Sequence, residues 1–174
     1  MSMALTGVVS ARFGARPLIL VSGAVMVLAL PFLALAPTPF LMGAALFVFG
    51  AGLGSLDVAM NIHAVDVERA SARPLMSGFH ALFSIGGFAG AALVTLLLSL
   101  EVSPLWCAVS SSACAGIAIA LAWPRLDRSR PQEGGPLFAV PRGVVMTLAI
   151  LAAVTFLSEG AILDWSALLL TDTG

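Results

Sequence analysis

The segment 50-GAGLGSLDVAMN-61 closes a run that starts at Phe40 and in which Asp57 is the first charged residue. A carboxylate set among Gly, Leu and Val can take up a proton or hold a polar solute. Asn61, four residues on, falls on the same face of a helix that carries both. An Asp at the centre of a membrane helix costs on the order of 2.5–3.5 kcal/mol on insertion scales, so a group of this kind is usually paired or functional. Two readings of Asp57 follow. In one it pairs with Arg12 or Arg16 and locks a neighbouring loop. In the other it lines a water-filled cavity, where it exchanges a proton or binds a polar substrate. Depth and spacing leave both open.

The remaining polar groups in apolar surroundings are few. His80 and Ser84 are also four apart, which raises a hydrolytic pair. No third orienting group follows, Ser84 has no G-x-S-x-G context, and hydroxyls in membrane helices commonly bond back to their own backbone. His80 reads instead as a packing or cavity-lining residue, and no enzymatic activity is expected. Glu159, Asp164 and Trp165 lie near the end of the last apolar segment, where Trp is also common as an interfacial anchor. Cys107 and Cys114, seven residues apart on one helix, are separated by roughly 10 Å along its axis and cannot bridge there. Neither a metal-ligand spacing nor a phosphate-binding loop occurs, so no metal and no cofactor are expected.

The elements that must carry these residues follow from composition. Sixty per cent of the 174 residues are hydrophobic and 10% are charged, too little polar surface for a soluble domain. The formal net charge is −1, with no basic tract, so no nucleic-acid partner is expected. Charge-free windows match the roughly 20 residues that a helix needs to cross a bilayer core. They give a stub at 1–10 and five spans near 17–36, 39–62, 75–100, 103–123 and 142–168. The N-terminus has no basic n-region and its first apolar stretch is too short for a signal peptide. The connections at 36–39 and 101–104 are tight and proline-bearing, whereas 63–74 and 124–142 read as longer polar loops.

All eight basic residues are arginines: Arg12, Arg16, Arg69, Arg73, Arg125, Arg128, Arg130 and Arg142. Each falls in the first, third or fifth connection. The positive-inside rule then makes 11–16, 63–74 and 124–142 cytoplasmic and predicts a multi-pass protein of the cytoplasmic (inner) membrane. Gly50-x-Gly52-x-Gly54 and Gly86-Gly87-x-x-Gly90 have small-residue spacings that let helix backbones approach closely in lipid, and both read as packing seams. The segment 124–141, rich in Pro, Gly and charge, reads as a linker between a first helical group, 1–123, and a second, 142–174.

The first loop, 7-GVVSARFGARPLIL-20, resembles the G-x-L-a-D-R-x-G-R-R signature between the second and third helices of major facilitator superfamily transporters. Gly7, Arg12, Gly14 and Arg16 match. The signature's acid is Ala11 here and its first paired arginine is Ala15. The resemblance implies an all-α polytopic membrane bundle, a partial major facilitator fold running from the end of helix 2 to helix 7, with 7–16 as a cytoplasmic gating loop. At a finer level, 54-GSLDVAMN-61 resembles the G-x-L-E-x-x-x-N pattern of helix 4 in the fucose:proton symporter family, with Asp57 at the acidic position. The segment 78-GFHALFSIGG-87 is similar to that family's helix 5. Glu159 and Trp165 keep the spacing of its helix 7.

These resemblances imply a proton-coupled, alternating-access transporter of a small polar solute such as a sugar. Asp57 would be its proton-responsive group, with Asn61 and His80 in the same cavity. The chain would be a truncated part of such a transporter, with the lipid bilayer, the solute, protons and the missing half as partners. The alternatives are a non-transporting membrane interaction protein and, more remotely, the intramembrane hydrolase considered above.

Overall fold

The computed structural model describes residues 2–126 and 142–173, and the chain divides into two compact units, Met1–Gly135 and Pro136–Gly174. The first unit holds α1 (Ser2–Phe13), α2 (Ala15–Leu35), α3 (Pro39–Ser71), α4 (Met76–Ser99) and α5 (Pro104–Ala122), which ends in a 3-10 turn at Trp123–Arg125. The second holds α6 (Val144–Thr173). There is no strand among the described residues. Five of the helices are long and apolar enough to cross a membrane: Ala15–Leu35, Pro39–Ser71, Met76–Ser99, Pro104–Arg125 and Val144–Ile162. Of the expected linker at 124–141, residues 127–141 lie outside the described residues, and the first three complete the 3-10 turn and its end.

Local chemistry sets the breaks between helices. Gly14 alone separates α1 from α2, with φ 81° and ψ 166°, a conformation that only glycine adopts without strain. Thr38 caps α3 by accepting the Leu41 N–H at 3.3 Å, and Pro39 occupies the first turn, where its missing N–H costs nothing. Pro104 opens α5 in the same way. The expected loop at 11–16 is therefore almost wholly helical.

The polar stretch at 63–74 also departs from expectation. It forms no long loop, because α3 continues to Ser71 and ends at Ala72 in a left-handed conformation. A helix of 33 residues is roughly 50 Å long and outruns the roughly 30 Å hydrocarbon core by several turns. Charges signal the exit from lipid; they do not signal the end of a helix.

The short turn that remains is fastened by Glu68. Its Oε2 accepts the backbone N–H groups of Leu75 and Met76 at 2.7 and 2.6 Å. A carboxylate from one helix thus satisfies orphan donors at the start of the next and complements its dipole. Glu68→Ala is expected to cost about 1 kcal/mol. Amide exchange at Leu75 and Met76 would then quicken about fivefold, and unchanged exchange would show that the cap contributes nothing.

Packing within the first unit rests on small residues. Ala15, Ile19 and Ala59 form a buried cluster with Leu18, Leu56, Ile62 and Leu126 against it. Gly52 lies buried on α3, where a Cβ would stand 3.1 Å from Val25 Cγ1 and 3.4 Å from the Ser22 carbonyl oxygen. The α2 and α3 backbones approach closely through that glycine. Across the other side of α2, Ser112 of α5 donates to the Val27 carbonyl at 2.9 Å. Thr6 of α1 donates to Ser55 of α3, also at 2.9 Å. The second expected seam is different: Gly86, Gly87 and Gly90 have nothing within 4 Å of an added Cβ among the described residues, and α4 buries none of its residues. Its small residues present an open face.

Meanwhile Phe40, Phe47 and Phe88 are about four-fifths exposed, at 83%, 78% and 79%. Small residues inside and large apolar residues outside invert the soluble-protein pattern and suit a lipid solvent.

Candidate functional site

Asp57 and Asn61 lie half-buried on α3. Asn61 Nδ2 donates to the Asp57 carbonyl at 2.9 Å and to its Oδ1 at 3.2 Å. The amide therefore holds the carboxylate on the helix surface. At about 100° per residue, Asp57 stands roughly 160° around the helix from Ala59, whose side faces the α2 seam. The acid and its partner consequently point away from α2. Counting 1.5 Å per residue, Asp57 is roughly 21 Å from the end of α3 at Ser71, within the half of the span that leads to the charged end.

The arginine pairing does not form. Among the described residues, neither Arg12 nor Arg16 bonds to Asp57. The Arg12 guanidinium lies 5.5 Å from the centre of the Phe13 ring. Arg16 stacks over Trp123 at 4.8 Å and donates to its carbonyl oxygen at 3.3 Å. The reason is the direction of the acid: Asp57 looks away from the helix that carries Arg16. Gly7 is half-buried midway along α1 and Gly14 is buried at the α1–α2 break, and among the described residues none of the four matched loop residues forms an ionic network with Asp57.

His80 is exposed near the start of α4, and no hydrogen bond joins it to Asp57 or Asn61 among the described residues. Ser84 Oγ donates to the His80 carbonyl at 3.1 Å, so the hydroxyl is engaged by backbone and not by the imidazole. Glu159 and Trp165 are both exposed on α6, in the second unit. Cys107 is buried, Cys114 is exposed, and both are free thiols. No group of His, Cys, Asp and Glu able to hold a metal occurs among the described residues.

Sequence reasoning passed over His63. It sits on α3 inside the stretch read as a loop, and its Nδ1 is buried without a hydrogen-bond partner. Arg16 Nε is in the same condition. His63 is four residues beyond Ala59 and so on the α2-facing side. Continuing the helical periodicity past Asn61 would have exposed it as a candidate.

Small residues buried in the first unit, an apolar exterior and five helices long and apolar enough to cross a membrane define an all-α polytopic membrane protein. The comparisons with known proteins agree. The chain is 50% identical over 172 residues to an uncharacterized MFS-type transporter of Yersinia pestis, a match covering 98% of the chain and 45% of that protein. It is 34% identical over 175 residues to an uncharacterized transporter of Sinorhizobium fredii, covering 98% of the chain and 46% of the relative. The chain thus spans under half the length of these two relatives. No family model matches it, and no solved structure matches it significantly. Both relatives are named as transporters, the Yersinia protein as an MFS-type one.

Proposed function

We propose that this chain forms part of a proton-coupled, alternating-access major facilitator transporter for a small polar solute of the sugar-like class. The observation that carries the reading is the Asp57–Asn61 pair. It is a carboxylate in an apolar span, held by an amide, free of arginine and turned away from the packed seam. A carboxyl in that setting can be covered by the surrounding bundle in one access state and reached by water in the other. Proton occupancy then biases one access state over the other. Asn61 offers hydrogen bonds either to the acid or to a solute hydroxyl, and the remainder of the solute site comes from the other half of the transporter. His80 takes a secondary place in this scheme, as a cavity-lining residue, and Glu159 and Trp165 are assigned to the outer end of α6. The test is pH-driven uptake by the complete protein carrying Asp57→Asn.

The arginine-bearing ends are assigned to the cytoplasmic face of the inner membrane. A fluorescent protein fused after Arg73 is expected to fluoresce, and alkaline phosphatase fused after Glu101 to be active. The reverse pattern would invert the topology.

A further inference from the structure

Three arginines at one end of the first unit have no carboxylate partner among the described residues, and they come from three separate elements. Arg12 ends α1, Arg16 opens α2 and Arg125 lies in the turn after α5. The contact of Arg16 with both the ring and the carbonyl of Trp123 ties the start of α2 to the end of α5. Leu126 packs on the cluster of Ala15, Ile19 and Ala59, which fixes the Arg125 turn beside the same helix start. Arg125 Nη1 donates to the Leu121 carbonyl at 2.8 Å, leaving its other donors free of protein partners among the described residues. Arg16 Nε is buried with no acceptor. Gly14 supplies no side chain to cap the first turn of α2. Trp123, 47% exposed, has the half-wet placement of an interfacial aromatic.

Guanidinium groups without counter-charges at the end of a membrane bundle attract anions, and the anion that a bilayer surface supplies is a lipid phosphate. Guanidinium groups bind it through paired N–H donors, and a helix start favours negative charge. We propose that Arg12, Arg16 and Arg125, together with Trp123, form a seat for the phosphate of an anionic phospholipid headgroup. This site is separate from Asp57 and requires no transport activity. A bound headgroup there would draw together the ends of α1, α2 and α5.

The test is lipid retention measured by native mass spectrometry on the purified chain, taken from bilayers of equal phosphatidylglycerol and phosphatidylcholine. The wild-type chain is expected to retain phosphatidylglycerol in clear preference. Arg125→Gln, at an exposed position that leaves the bundle intact, should lower that preference about fivefold, as should Arg16→Gln. Arg125→Lys, which keeps the charge, should preserve most of it. Equal retention of the two lipids by the wild-type chain would overturn the proposal, as would full preference in the Arg12→Gln/Arg125→Gln double variant. Inorganic phosphate is the control for the source of the anion: displacement of the lipid by millimolar phosphate would assign the seat to a free anion and overturn the headgroup.

Discussion

On the proposed function, Asp57→Asn in the complete protein is expected to reduce pH-gradient-driven uptake to the level of cells without the protein, while the folded yield stays unchanged. The geometry separates these two effects. Asn61 donates to the Asp57 carbonyl, which the substitution keeps, and to Oδ1, which an asparagine oxygen reproduces. What disappears is the ability to gain and lose a proton, and with it the coupling of occupancy to access state. Asp57→Glu should retain part of the uptake, because it restores a titrating carboxyl one methylene further out. The pH profile is the decisive readout. Uptake by the Asn variant with an unaltered profile would remove Asp57 from the coupling machinery and leave it as a structural hydrogen-bond acceptor.

Gly52→Leu is expected to unfold the first unit or strip it of most of its stability. The close approach at this position leaves no room for a side chain: an added Cβ would sit 3.1 and 3.2 Å from Val25 and Met26 side-chain carbons and 3.4 Å from the Ser22 carbonyl oxygen. The two side chains can shift, but the carbonyl belongs to the α2 backbone and cannot yield without parting the helices. Overpacking of this kind costs about 1–3 kcal/mol even where neighbours can move, and here the three further carbons of leucine must also be placed. In lipid, close van der Waals packing supplies most of the association between helices, so the loss falls on the main term. Gly50→Leu is the matched control, since nothing lies within 4 Å of a Cβ there among the described residues. Thermal melting in detergent should separate the two variants by many degrees. Equal melting would show that α2 and α3 are not held through Gly52.

Hydropathy and the placement of arginines were enough to count the spans, because crossing a bilayer imposes a length and a polarity that composition alone reveals. The same signal misleads at 63–74, where the polar residues up to Ser71 belong to α3 and not to a loop. Lipid exit and helix termination are different physical events, and only the αL residue Ala72 and the Glu68 cap mark the second. His63 was lost with that stretch. The Asp57–Asn61 pairing was legible from spacing, since it is local to one helix. The partner of Arg16 was not, because Trp123 lies 107 residues away and reaches it only through the α2–α5 packing. The two glycine stripes show the same limit. Both have seam spacing, yet Gly52 meets a neighbouring helix while Gly86, Gly87 and Gly90 meet none among the described residues, since a stripe does not say what stands opposite it.

The Glu68 cap makes a mechanical element of two helices. Glu68 lies eleven residues beyond Asp57 and only about 20° around the helix from it, so the acid and the cap share one stripe. The far end of that stripe grips the first backbone amides of α4. A rotation of α3 that re-aimed Asp57 would therefore pull on the start of α4 through this joint, as a crank does. Shortening the crank, as Glu68→Asp would, should leave both helices folded while decoupling their movements.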